Sequence, residues 1–266
     1  MVSIVMCAYN VQSFIREALD SVLEQNYKSW ELVIGIEAGC TDNTALVIDE
    51  YIAYHGIEDK CYVWTAPGET PYGYGYMLHN TIIAGSGELV AIVDADDALC
   101  GKNTLERMVV AHEQHPEASL IYSDYHECGP EMERHSGKRY KLVKNSIIPS
   151  GSTFLGKFSG DEYQGTPYRI SHLKVFKRSA YDASEGIDIA LRKAVDAELI
   201  LLLEEQGSLV HIDGCMYLHR NHGDSITQRF KIQGDEYRTW VMEQKKGMYE
   251  RARLRRAKNL RSPTLR

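Results

Sequence analysis

The chain has 266 residues, a formal net charge of −7, and 44% hydrophobic against 25% charged residues. This is the make-up of a globular protein large enough to bury a full core, and it excludes disorder or coiled coil as the main architecture. No run reaches the roughly 18 apolar residues that would span a bilayer. The apolar stretch Ile4 to Ala8 is too short, and lacks the basic flank, for a signal peptide. Cys7, Cys40, Cys61, Cys100, Cys128 and Cys215 form no Cys-x-x-Cys pair and read as thiols in a reducing, cytoplasmic compartment. Residues 244 to 266 carry +8, so the preceding 243 residues carry −15. An acidic body argues against a nucleic-acid partner. The basic tail offers a surface for peripheral membrane contact or self-association, or is a solvated helix with a frayed end.

Residues 2 to 8 read as a buried strand ending at Tyr9-Asn10. Ser13 to Gln25 has helical spacing, with Phe14, Ala18, Val22 and Leu23 on one face. Glu31 to Ile36 is a second strand. Thr41 or Asp42 caps a helix that stops at Gly56. Cys61 to Thr65 is a third strand. The Gly/Tyr-rich stretch Pro67 to Tyr76 reads as a loop before a short helix around Asn80 to Ala84. Leu89 to Val93, apolar throughout, is a fourth strand of the central parallel kind. A helix from Asn103 to Gln114 stops before Pro116. This alternation predicts a mainly parallel sheet flanked by helices. After Ile121 the periodicity dissolves, and residues 126 to 170 read as loops and short irregular strands. Ala194 to Gln206, closed by Gly207, is a further helix.

In an open parallel sheet, ligands bind beyond the carboxyl ends of the strands. Three predicted strands end there in polar groups: Tyr9-Asn10, Glu37-Ala38-Gly39 and Asp94-Ala95-Asp96-Asp97. Three carboxylates within four residues repel one another unless a cation compensates, and hard oxygen ligands suit Mg²⁺ or Mn²⁺. Gly73-Tyr74-Gly75 lacks the third glycine and the position of a dinucleotide fingerprint, and there is no phosphate-binding GxxxxGK[ST] loop. His112/His115 and His219/His222 are HxxH pairs, not HExxH. The Asp-x-Asp of haloacid-dehalogenase-like phosphatases is matched except at Ala98, where Thr or Val is needed.

Taken in order, these segments resemble family 2 inverting glycosyltransferases of the GT-A fold, over roughly residues 2 to 227. VSIVMCAYN is similar to the opening strand and its Tyr-Asn turn, with Cys7-Ala8 in place of Pro-Thr. ELVIGIEAGCTDNT resembles the segment bearing two acids, with Glu37 at the first position and Ala38 at the second. His79-Asn80 followed by TIIAGSGELVAIVDADD resembles the block leading to Asp-x-Asp-Asp, with His79 where Arg is frequent. GIDIALRKAVDAELILLLEEQG resembles the segment carrying the catalytic base, with Val195-Asp196 for Glu-Asp. YLHRNHGDSIT matches at Arg220, His222, Ser225 and Thr227.

The resemblance implies a GT-A domain over residues 1 to 230, with a nucleotide-sugar half (1 to 120) and an irregular acceptor and base half (121 to 230), then a helical basic tail (231 to 266). It implies a nucleoside-diphosphate sugar donor, a UDP-sugar foremost, held by Ala8, Tyr9, Asn10, Glu37, Asn80, Asp94, Ala95 and Arg220. Asp96 and His222, with His219 as competitor, would hold Mn²⁺ or Mg²⁺ against the diphosphate. Asp196, expected to be partly buried beside Val195, would be the general base for an inverting attack on the anomeric carbon. The acceptor would be the hydroxyl of a glycan or of a lipid- or protein-linked sugar. Tyr72, Tyr74 and Tyr76 could stack on sugars. The competing classes are a metal-dependent phosphatase or nucleotidyltransferase, which would not need Asp196, and a non-catalytic binding relative.

Overall fold

A computed structural model describes residues 1–132, 141–149, 152–155, 157–159, 162–166, 168–223 and 235–261. The strands are β1 (Val2–Ala8), β2 (Trp30–Ile36), β3 (Cys61–Thr65), β4 (Leu89–Ile92), β5 (Ala98–Leu99), β6 (Ala118–Cys128), β7 (Lys141–Val143), β8 (Lys157–Ser159), β9 (Glu162–Gly165), β10 (Lys174–Lys177) and β11 (Ser208–Arg220). The helices are α1 (Ile15–Leu23), α2 (Thr44–His55), α3 (Tyr74–Ala84), α4 (Thr104–Gln114), α5 (Arg178–Asp182), α6 (Val195–Glu204) and α7 (Asp235–Arg261).

The main sheet has the order β3-β2-β1-β4-β10-β6-β11-β5, with β7 on β6; β8 and β9 form a separate hairpin. β1, β2, β3 and β4 run parallel, as the apolar runs and intervening helices predict. β10 then inserts antiparallel between β4 and β6, and β5 pairs antiparallel with β11. Both sheet faces are covered. One core contains Ile4, Met6, Ile15, Leu19, Ile48 and Leu105; the other contains Val5, Leu78, Ile82, Phe176, Leu199 and Leu203.

Local signals account for the helix ends. Asp42 Oδ1 accepts the Thr44 N–H at 2.9 Å, satisfying a first-turn donor of α2. Gly56, left-handed at φ 62°, ends that helix. Two expectations are corrected. The Gly/Tyr-rich stretch is not loop to its end: α3 begins at Tyr74, opened by Gly73 at φ 101°. Gly75 lies in its first turn because a Cβ there would stand 2.3 Å from the Leu191 carbonyl oxygen. Nor does order stop at Ile121. β6 continues to Cys128, and its buried Ser123 and Asp124 are satisfied by Asn145 and His211.

Over its described residues the basic tail is not simply a solvated helix. α7 packs on α6, burying Met248, Tyr249 and Ala252. Arg251 meets Glu198 at 3.0 Å, Arg255 meets Glu205 at 3.0 Å, and Arg256 meets Glu204 at 2.6 Å. Part of the charge expected to face a membrane or partner is therefore neutralised by acids of the body. The expected boundary at residue 230, and Ser225 and Thr227, lie outside the described residues. No helix among the described residues is long and apolar enough to cross a membrane.

Candidate active site

The Asp94–Asp97 turn joins β4 to β5. Because β5 pairs with β11 in the register Leu218↔Ala98, the end of β11 is carried alongside that turn. The Arg220 backbone N–H donates to Asp97 Oδ1 at 2.7 Å, and His222 Nε2 stands 2.9 Å from Asp96 Oδ2. Phe14 packs on the His222 ring at 4.4 Å. His222 is thus the histidine at Asp96, while His219 lies with Asp97 and His172 in a group of ligand atoms within 4.8 Å of one another. His219 stacks on His172 at 5.3 Å, and His172 on Tyr217 at 4.6 Å. Burial pushes the His219 and His172 rings toward the neutral form.

The turn is strongly electronegative. Burial, reinforced by Asp96 and Asp196, pushes Asp94 up to about 7, while Lys174 and a hydrogen bond from Tyr74 oppose the shift. Asp97 is raised well above the usual carboxylate range by burial and by Asp96 and Asp94. Tyr74 Oη donates to Asp94 Oδ1 at 3.1 Å, so this tyrosine serves the acid turn. Tyr72 and Tyr76 stack on each other at 4.3 Å.

Asp196 lies in the first turn of α6, where a carboxylate is favoured by the unpaired N–H groups. Its side chain is 51% exposed, in keeping with the partial burial expected beside Val195. Its Oδ1 pairs at 3.0 Å with Lys174 Nζ, whose side chain is 1% exposed and also donates to the Ser171 carbonyl. The adjacency of Lys174 to both Asp94 and Asp196 depends on β10 lying next to β4, which local periodicity does not encode. Lys174 is the principal residue that sequence reasoning missed; its only signal is a charge at the start of a short strand.

The remaining expected contacts divide into exposed and internal groups. Tyr9 is 40% exposed beyond β1. Asn10, at φ 53°, accepts the Thr41 N–H at 2.8 Å and ties the first two strand ends together. Ala8 and Ala95 are buried, so only their backbones can reach a ligand. Glu37 is buried and accepts the N–H groups of Tyr72 and Gly73 at 3.0 and 2.8 Å, holding the entry to α3. Asn80 donates to the Tyr76 carbonyl within α3. His79 faces Tyr181 at 2.8 Å, toward α5. Arg220 is buried: it donates to the Asp96 carbonyl at 2.7 Å, to Glu17 at 2.6 Å and to the Pro130 carbonyl. Arg220 thus braces the acid turn from behind.

The sequence profile described as Glycosyl transferase family 2 matches residues 3–184. The chain is a family 2 glycosyltransferase. It is 30% identical over 231 residues to EpsE of Bacillus subtilis (strain 168), covering 86% of the transferase and 76% of EpsE. It is 24% identical over 234 residues to a chondroitin synthase of Pasteurella multocida (strain Pm70), covering 85% of the transferase but only 21% of that synthase. Among solved structures, S. aureus TarS 1-349 in complex with UDP superposes with a TM-score of 0.60 at 17% identity, covering 84% of the transferase and 61% of that chain. The mannosyltransferase PcManGT from Pyrobaculum calidifontis, with GDP-Man and Mn²⁺, gives 0.59 at 14% identity over 99% and 76%. These likenesses establish the transferase's fold as GT-A.

Proposed function

We propose that the transferase moves a sugar from a nucleoside-diphosphate donor to an acceptor hydroxyl with inversion, with Asp94 and Asp96 at the donor and Asp196 as base. One observation carries this reading: the acid turn and the Lys174–Asp196 pair meet across β4 and β10, close enough for the Asp196 charge to help raise the Asp94 carboxyl. A phosphatase would have no use for a paired, half-exposed carboxylate at that place.

Asp96 and His222 fit a divalent cation. Cis ligands of an octahedral ion with bonds of about 2.1 Å stand about 3 Å apart, and their donor atoms are 2.9 Å apart. Asp96 and His222 would hold Mn²⁺ or Mg²⁺, which when bound neutralises charge on the diphosphate leaving group. Burial first, and then the Asp96 and Asp196 charges, lift Asp94, and a cation would offset both. PcManGT with Mn²⁺ and GalNAc-T7 with Mn²⁺ are fold neighbours in which such an ion is bound.

The chain's own residues supply the rest. Tyr9, exposed at the first strand end, stacks on the base, and Asn10 fixes the turn beneath it. Glu37 acts at one remove by holding Tyr72 and Gly73. Arg220 positions Asp96 and Asp97 from behind. Lys174 holds Asp196 through Oδ1, leaving the second oxygen to face the acceptor hydroxyl. As the hydroxyl oxygen bonds to the anomeric carbon, its proton passes to Asp196 and the bond to the diphosphate oxygen breaks. UDP and UDP-GlcNAc in TarS favour a UDP-sugar donor over GDP-Man, the PcManGT donor. The acceptor is a sugar hydroxyl, free or linked to lipid or protein.

The test compares Asp96→Ala with Asp196→Ala in Mn²⁺-dependent melting with UDP or GDP and in diphosphate release from donor plus acceptor. Both variants should lose turnover, Asp196→Ala by about 10²–10⁴-fold. Only Asp96→Ala should lose the nucleotide-induced shift in melting temperature. Unchanged turnover in Asp196→Ala would refute the assigned base.

A further inference from the structure

On the far side of the acid turn, three strands bring together a second set of ligand atoms. Cys100 follows β5, His126 lies on β6 and Cys215 on β11; the Cys100 and Cys215 thiols and a ring nitrogen of His126 all lie within 4.8 Å of one another. All three side chains are half-buried. The grouping is built by the backbone. The Cys100 N–H donates to the Met216 carbonyl at 2.9 Å, fixing the β5 end on β11. The β6–β11 ladder shifts register on both sides of Cys215, and Gly214 immediately before it sits at φ 106°. An irregularity of this kind re-aims a side chain, and here it points the Cys215 thiol at Cys100, with which it is in hydrogen-bonding contact.

We propose that Cys100, His126 and Cys215 form a binding site for a thiophilic divalent cation, zinc foremost, separate from the donor site. Two thiolates and an imidazole are a soft set that selects Zn²⁺ over the Mg²⁺ or Mn²⁺ suited to the acid turn. A tetrahedral zinc with Zn–S bonds of about 2.3 Å places its ligand atoms about 3.5–3.8 Å apart, so side-chain rotation closes the set. Binding replaces two S–H bonds with two S–metal bonds and releases two protons to solvent. Without a cation the contact with Cys100 and burial hold the Cys215 thiol protonated. Because Cys100 lies three residues beyond Asp97, the ion would pin the acid turn to β6 and β11. That consequence rests on the transferase reading, but the binding itself does not.

The experiment is a titration of the reduced, chelator-treated full chain with Co²⁺ alone, followed by near-ultraviolet absorption. Thiolate-to-cobalt charge transfer reports sulfur ligation, and carboxylate or histidine ligation at the donor site does not produce it. One equivalent of Co²⁺ should develop the band, and Zn²⁺ should abolish it. Asp96→Asn should keep the band. Cys100→Ser, Cys215→Ser and His126→Gln should each weaken Co²⁺ binding at least about tenfold. No band in the reduced wild-type chain overturns the proposal, as does a band unchanged in Cys215→Ser. The wild-type titration decides even where a variant misfolds. Turnover is not read, so failure here leaves the assigned transferase activity standing.

Discussion

The two halves of the sheet treat polar groups in opposite ways. From β1 to β4 the strands are mostly apolar, and polar residues cluster at their carboxyl ends. From β6 to β11 the polar groups lie inside: Asp124 is 2% exposed, with Asn145 N–H at 3.0 Å and His211 Nε2 at 2.9 Å. Lys174 and Arg220 are likewise buried and aimed at acids or carbonyls. The first half gathers polar groups at its strand ends, and the second buries more of them along its strands. A parallel strand between helices must be apolar on both faces. A strand bordered by irregular chain must instead satisfy that chain's backbone, and buried polar side chains do so.

That contrast can be broken most sharply at Asp124. Asp124→Ala leaves the Asn145 N–H and the His211 ring without their acceptor, and should cost about 3–5 kcal/mol in denaturant unfolding. In a double-mutant cycle, Asp124→Ala and His211→Ala should be clearly non-additive. Equal and additive small losses would show that the network is not what holds the second half.

The first half buries polar groups of its own, among them Ser3, Glu37, Thr81 and His112. His112 of α4 is buried with Nε2 at 3.0 Å from the Val175 carbonyl, and burial depresses its pKa to about 4. Below pH about 6.5 the unfolded chain binds a proton that the folded chain refuses. Stability from the neutral ring is thus complete above 6.5 and is lost as pH falls toward 4, by on the order of 2–3 kcal/mol. Urea midpoints at stepped pH should show this slope, and His112→Gln should flatten it. A smaller effect tests the seam between the halves. Gly75→Ala drives a Cβ against the Leu191 and Asp188 carbonyls, and should lower stability by about 1–3 kcal/mol and reduce turnover. Full activity and an unchanged melting temperature would show that α3 can shift freely.

Legibility follows the same division. The parallel strands, the helix stop at Gly56 and the Asp94–Asp97 turn are readable because each depends on residues near in sequence, whereas the N-cap of α2 falls at Asn43, one residue beyond the expected Thr41 or Asp42. The structural use of Gly73-Tyr74-Gly75 is hidden from the sequence. Its reason is the approach of residues 188 to 191, more than a hundred positions away. β6 was lost after Ile121 because its polar residues break the apolar pattern while their partners lie at Asn145 and His211.

What the sequence by itself determined was a mainly parallel sheet and the carboxylates at its edge, since strand periodicity decides which residues reach a strand's end. It singled out Asp96, His222 and Asp196 but not their relation. Only the tertiary structure decided that Arg220 braces the acid turn, that Glu37 holds the start of α3, and that Lys174 pairs with Asp196. It also decided that the basic tail folds back onto α6. Each of these is a pairing of charges between distant segments, and a pairing is set by strand order, which no local pattern carries.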